Sequence, residues 1–167
     1  MLKCSEINVT IRKAKKDDMV QVFKLIRALA EFEHLEDQVK IDASVLENDG
    51  FNTNSPAYTC LVAELSDGHI MGYALYFTSY STWLGKSIFL EDLYVQAAYR
   101  GNGIGKQLFM AVAKIAHGTQ SKRLDFHCLS WNPAARFYEA LGAVNLTKSE
   151  KWQLFRLDSD SLDKLFS

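Results

Sequence analysis

The stretch that decides the fold runs from Ser87 to Lys106: SIFLEDLYV, four connecting residues, then Arg100-Gly101-Asn102-Gly103-Ile104-Gly105-Lys106. The first nine residues are rich in β-forming side chains and read as a strand. Residues 103–117 read as an amphipathic helix with Ile104, Leu108, Val112 and Ile115 inward. Arg123 to Leu129 returns as a strand. Strand, helix and strand in this order predict a right-handed parallel crossover. Ligands of such sheets bind near the carboxyl ends of the parallel strands. The glycine-rich link leaves the first strand at that end.

Outward from this unit, the pattern continues in both directions. Ile7, Val9 and Ile11 alternate with polar residues, as in a half-buried strand. From Asp17 to Glu33, Met19, Val22, Phe23, Ile26, Leu29 and Ala30 fall on one helical face, and Asp17 and Asp18 favour a helix start. A shorter helix covers Ile41 to Glu47 and stops at Asn48-Asp49-Gly50. Tyr58 to Glu64 and Ile70 to Phe77 read as strands around the turn Ser66-Asp67-Gly68-His69. Pro133 to Leu141 reads as a helix closed by Gly142, Trp152 to Leu157 as a last strand, and a short helix ends the chain. The order β-α-α-β-β-β-α-β-α-β predicts an α/β (α+β) fold. It has a mixed central sheet of six to seven strands with helices on both faces. No repeat or Pro/Ser-rich linker divides residues 1–167, so a single domain is expected.

Composition narrows the function. The 167 residues carry 19 Lys+Arg against 20 Asp+Glu, a net charge of −1, which excludes a surface built as a whole for nucleic acid. No apolar run approaches the ~20 residues of a membrane span, and the N-terminal residues lack the pattern of a secretory leader. Cys4, Cys60 and Cys128 are far apart and odd in number, which suits free thiols in a reducing compartment. No group has metal-ligand spacing, so no metal is expected. His127 and Cys128 are strand neighbours facing opposite ways, and His34, His69 and His117 read as surface or turn residues. The expectation is a cytoplasmic domain with no nucleic-acid or membrane partner.

The glycine link is the chemical feature. Glycines let backbone approach a ligand closely, and a helix N-terminus offers unpaired N–H groups at the positive end of its dipole. From Leu93 to Leu124 there is no Asp or Glu, while Arg100, Lys106, Lys114, Lys122 and Arg123 are present. In a chain balanced overall, that segment suits a multiply charged anion such as a diphosphate. A Walker loop needs GxxxxGK[ST], whereas here Gln107 follows Lys106 on a shorter frame. A dinucleotide fingerprint needs GxGxxG directly after its strand; this is GxGxG, several residues past Val95.

RxxGxG, here Arg100, Gly103 and Gly105, resembles the pyrophosphate loop of the GNAT N-acetyltransferase superfamily, and the element order matches over essentially the whole chain. A second motif agrees: Trp131-Asn132-Pro133-Ala134-Ala135-Arg136-Phe137-Tyr138 followed by Gly142-Ala143. LIRALAEFEHLEDQVKI, Asp49-Gly50-Phe51, YTCLVAE, YSTWLGK and FLEDLYV are similar to the spermidine/spermine acetyltransferase branch. Within it, Tyr80-Ser81-Thr82-Trp83 resembles the thialysine (diamine) acetyltransferase subgroup. Polyamine-acetylating members carry an acid where this chain has Ser81. Asn132 to Tyr138 is one residue shorter than the family interval, while the Tyr-to-Gly spacing is kept.

The resemblance implies acetyl-CoA as co-substrate, a small amine as acceptor and a homodimer. It implies that Arg100, Gly101, Asn102, Gly103, Ile104, Gly105 and Lys106 hold the diphosphate, that backbone groups of Leu93 and Val95 pair with pantetheine amides, and that Asn132 assists. Acyl transfer to an amine needs a base for the ammonium, whose ordinary pKa is ~10, and an acid for the leaving thiolate. Glu91 is assigned as base through a water and Tyr138 as acid. Alternation puts Glu91 and Asp92 on opposite sheet faces unless a bulge re-aims one. Residues 31–49 hold seven acids (Glu31, Glu33, Glu36, Asp37, Asp42, Glu47, Asp49) against Lys40, a charge that steers cations. Glu33, Tyr80, Trp83 and Asp92 are the substrate-side candidates, with Trp83 either a cation–π wall or a packing residue. No Cys is placed as an acyl acceptor, so attack is direct, in a ternary complex. The alternatives are a protein-lysine acetyltransferase and a non-catalytic CoA-binding module.

Overall fold

The computed structural model describes residues 8–167, so Cys4 and Ile7 lie outside the described residues. The described residues form two compact units, one up to His127 and one from Cys128 to Ser167. In the first, β1 (Val9–Lys13), α1 (Met19–Glu33), α2 (Ala43–Gly50), β2 (Thr59–Leu65), β3 (Ile70–Ser81), β4 (Gly85–Val95), α3 (Ile104–Gly118) and β5 (Leu124–Phe126) follow in order. The five strands form one sheet in sequence order, antiparallel from β1 to β4, with β5 parallel to β4.

Register assigns the faces. Cys60 pairs with Leu75, Val62 with Tyr73, and Tyr73 with Tyr94, so these side chains share one face. Met19, Val22 and Leu25 of α1 and Leu46 of α2 pack into the same cluster. The α1 periodicity explains this: its apolar stripe has nowhere else to be buried. On the opposite face α3 brings Ile104, Leu108 and Val112 to the sheet, all essentially fully buried. A Cβ on Gly72 would meet the Tyr94 carbonyl oxygen at 2.8 Å and Leu108 Cδ1 at 3.3 Å. The bare glycine therefore lets α3 settle close to β3 and β4. The helices thus cover both faces, as the alternation of elements requires.

The second unit holds α4 (Ala134–Ala140), α5 (Leu146–Glu150) and α6 (Ser159–Asp163). Gly142 at φ +94° ends α4, with Gly142 N–H bonded to Glu139 O and Ala143 N–H to Tyr138 O, the double bond of a glycine-closed helix.

Several expectations need correction. The sheet has five described strands instead of six to seven. Trp152 to Leu157 is not a strand: every one of these residues is exposed, and among the described residues none pairs with them. Strand-forming side chains cannot make a strand without a neighbour to share the backbone bonds. The Arg123–Leu129 strand shrinks to Leu124–Phe126, so His127 and Cys128 are not strand neighbours. Its last partner is Leu90, immediately before a bulge in β4. A bulge bends its strand and ends pairing on that side. β3 runs four residues past Phe77, because Ser81 pairs with Gly85 and its Oγ accepts the N–H groups of Trp83 and Leu84. α2 begins at Ala43 behind Asp42, whose carboxylate accepts from Ser44 and Val45 N–H.

Candidate active site

The bulge in β4 organises the first unit's site. Leu75 pairs with Asp92 and Tyr76 with Leu90, leaving Glu91 as the extra residue. Leu90 and Asp92, two apart, would share a face of a regular strand; here they oppose residues on opposite faces. Leu90 is buried, Glu91 is turned to solvent, and Asp92 goes inward on the face of Tyr73. Asp92 Oδ2 accepts the Tyr73 hydroxyl at 2.8 Å. Burial pushes the Asp92 carboxyl up to about 6, the Tyr73 hydroxyl draws it back down, and the charges of Glu91 and Glu33 raise it further. Glu33, the last residue of α1, is half-buried and is itself raised by burial. These are three carboxylates in one electrostatic neighbourhood, and no described ion pair reaches any of them.

Beyond the bulge, no described strand pairs with the outer edge of β4. β5 covers Ile88, Phe89 and Leu90 only. Gln96 N–H donates to Met71 O across β3, so by alternation Tyr94 also bonds inward. Leu93 and Val95 then turn their N–H and C=O groups to that outer edge. One of these is engaged: Val95 O accepts Arg100 Nε at 2.9 Å. The Arg100 guanidinium carbon lies 4.9 Å from the Phe32 ring centroid and 5.2 Å from that of Tyr94. Arg100 therefore ties the end of β4 to α1 and leaves its Nη groups with no described hydrogen bond.

The glycine loop follows. Gly101 and Gly103 have φ of +81° and +75°, a region that L side chains rarely adopt, and a Cβ at either would meet nothing within 4 Å. Their faces are open. Asn102 Nδ2 donates to the carbonyls of Tyr99 and Arg100, holding the turn. No side chain caps the N-terminus of α3 and no acid lies in its first turn, so its leading N–H groups and dipole stand uncompensated. Ile104 is buried, Gly105 packs near Val95 Cγ2 and Lys106 is exposed. The donor set fits a diphosphate.

The remaining candidates are placed as follows. Tyr80 and Trp83 lie at the tip of the β3–β4 hairpin and are 74% and 80% exposed. In the second unit, Asn132 Oδ1 accepts Ala134 N–H and opens α4, and Tyr138 is the buried residue of that helix. The residue that sequence reading missed is Tyr73. A tyrosine in an otherwise apolar buried strand was the available signal, since a buried phenol needs a partner.

The model of the acetyltransferase (GNAT) family matches residues 20–143. The chain belongs to the GNAT acetyltransferase family. Among its relatives, the bovine thialysine N-epsilon-acetyltransferase is 44% identical over 165 residues, 94% of this chain and 96% of that one. The human spermidine/spermine N(1)-acetyltransferase-like protein 1 is 36% identical over 159 residues, 91% of this chain and 23% of that protein. Among solved structures, an integron cassette protein from the mobile metagenome of V. cholerae matches with a TM-score of 0.76 and 26% identity, covering 95% of this chain and 97% of that one. The protein is thus an N-acetyltransferase, and GNAT acetyltransferases use acetyl-CoA as co-substrate. No described helix is long and apolar enough to cross a membrane.

Proposed function

We propose that this GNAT enzyme acetylates the terminal amine of thialysine or a related small diamine, as a cytoplasmic homodimer whose residues 1–167 work as one domain. The observation that carries the substrate class is the set Glu33, Glu91 and Asp92, gathered without a counter-cation beside the outer edge of β4. Such a field draws a compact cation. The likeness to the bovine thialysine enzyme supports the particular amine. The free thiol of the buried Cys60 accords with a reducing compartment. The exposed apolar residues Trp152, Leu154, Phe155 and Phe166 of the second unit accord with a partner surface.

Bound acetyl-CoA supplies an activated thioester. The loop from Arg100 to Lys106 and the N-terminus of α3 hold the diphosphate, with the buried Ile104 side chain anchoring the helix end to the sheet. The outward backbone groups of Leu93 and the Val95 N–H pair with the pantetheine amides, and Asn132 fixes the start of α4. Asp92 and Glu33 receive the substrate ammonium, while Tyr80 and Trp83 offer aromatic faces to it. Glu91, exposed at the bulge and in reach of water, takes the ammonium proton through a water. Tyr138 gives a proton to the departing sulphur. Cys60 takes no acyl group, because burial pushes its thiol far up and keeps it protonated.

The test is an acetyl-CoA consumption screen over thialysine, lysine, putrescine, spermidine and a histone-tail peptide. Thialysine and short diamines should have the highest kcat/KM. Preference for the peptide would overturn the reading in favour of a protein-lysine acetyltransferase, and no turnover with any amine would favour a CoA-binding module.

A further inference from the structure

Asp92 sits in a position that costs it solvation. It is half-buried on the α1 face of the sheet, and it shares that region with two further carboxylates, Glu91 on its own strand and Glu33 on α1. Two cations on this face are directed elsewhere: Arg100 to Val95 O and to the Phe32 and Tyr94 rings, and Arg12 to Asp18 and Glu64. Cys60, on β2, stays a neutral thiol. Partial burial and these acidic neighbours all favour the protonated form of Asp92, which cannot hold an ammonium as an ion pair.

Tyr73 opposes this. Its ring is fully buried in the α1-side core, among Val62, Leu75 and Tyr94, so the side chain cannot swing away. It stands diagonal to Asp92, since Tyr73 pairs with Tyr94 and Leu75 with Asp92, and its length spans the diagonal. The contact exists only because the bulge at Glu91 turns Asp92 onto the face of Tyr73. The hydroxyl donates to Oδ2 at 2.8 Å, and Oδ1 carries no described bond.

We propose that Tyr73 is a positioning residue of the amine site: its hydroxyl fixes the Asp92 carboxylate in one orientation, as the anion, with Oδ1 left for the substrate ammonium. This rests on the proposed role of Asp92 as a substrate-side carboxylate. The hydrogen bond is to the charged form of the acid, which holds Asp92 ionised at neutral pH against its burial and its acidic neighbours.

Tyr73→Phe removes the hydroxyl and keeps the packing ring. With thialysine, or whichever amine turns over fastest in the screen, KM should rise about tenfold while the KM for acetyl-CoA stays unchanged. The acidic limb of the kcat/KM profile should move to higher pH by about one unit, the same tenfold. A residue that merely packs would lower thermal stability without moving that limb. Asp92→Asn separates the two assignments. It should raise the amine KM further, and in its background Tyr73→Phe should add little. An unchanged amine KM in Asp92→Asn overturns the role of Asp92 and with it that of Tyr73. An impaired Asp92→Asn beside a Tyr73→Phe with unaltered KM and acidic limb overturns Tyr73 alone.

Discussion

Two groups of acids in the first unit, a few strands apart, are treated in opposite ways. Asp18 and Glu64 share Arg12. Its Nη1 and Nη2 donate to Asp18 Oδ2 and Oδ1 at 2.6 and 3.0 Å, and its Nε and Nη2 donate to Glu64 Oε2 and Oε1 at 2.8 and 2.7 Å. Both acids are held below the usual carboxylate range by those bonds. Asp18 also accepts Lys15 N–H, bracing the turn into α1. Glu33, Glu91 and Asp92 have no such partner, and burial raises Glu33 and Asp92. A fold that can place an arginine between two carboxylates has left three others uncovered. Uncovered charge near a strand edge is a cost in the free protein, and under the proposed function a bound cation would offset it.

The largest effect expected from breaking this contrast is on rate. Glu91→Gln and Tyr138→Phe should each lower kcat by about 10²–10⁴-fold with acetyl-CoA binding nearly intact, whereas Glu64→Gln should leave kcat unchanged. Steady-state kinetics with a CoA-binding titration decides it; unchanged turnover in both site variants would reject the acid and base assignments.

The next effect is on stability. Asp18→Asn leaves Arg12 half-satisfied and should cost about 2 kcal/mol at pH 7 in denaturant unfolding. The Asp18 carboxyl is held below its ordinary value, so its contribution is present above pH ~4 and fades as pH falls further. Variant and parent should therefore converge only as pH falls below the ordinary carboxylate range.

The smallest effect has the opposite sign. Asp92 is raised to about 6 in the folded state, so folding favours its protonated form, and ionisation destabilises as pH rises from about 4 through 6. Asp92→Asn, which still accepts from Tyr73, should stabilise by on the order of 1–2 kcal/mol at pH 8 and by nothing at pH 4. A thermal melt series against pH checks this. Destabilisation at pH 8 would mean that Asp92 is a structural acid like Asp18.

Most of the architecture was legible in the chain. The α1 stripe, the hairpin from β2 to β3 and the β4–α3–β5 crossover follow from periodicity and turn residues, because each is a local pattern of 2 or 3.6 residues. The glycine loop was legible too, since positive φ at Gly101 and Gly103 is something only glycine supplies readily. What failed was pairing. Trp152–Leu157 has the residues of a strand and no described neighbour, and β5 ends where β4 bulges. At the site, the Glu91-Asp92 pair was visible as two carboxylates, but which of them goes inward was not.

The amino-acid order alone determined the helices α1 to α4, the order of the five sheet strands, the glycine turn and the family, because each is written in contiguous residues. Only the tertiary structure decided the work of the carboxylates. A one-residue bulge in β4 turns Asp92 to Tyr73 and Glu91 to water, and a bulge is set by how two strands register against each other. Burial, hydrogen bonding and charge at these acids follow from that registration, which neither strand specifies by itself.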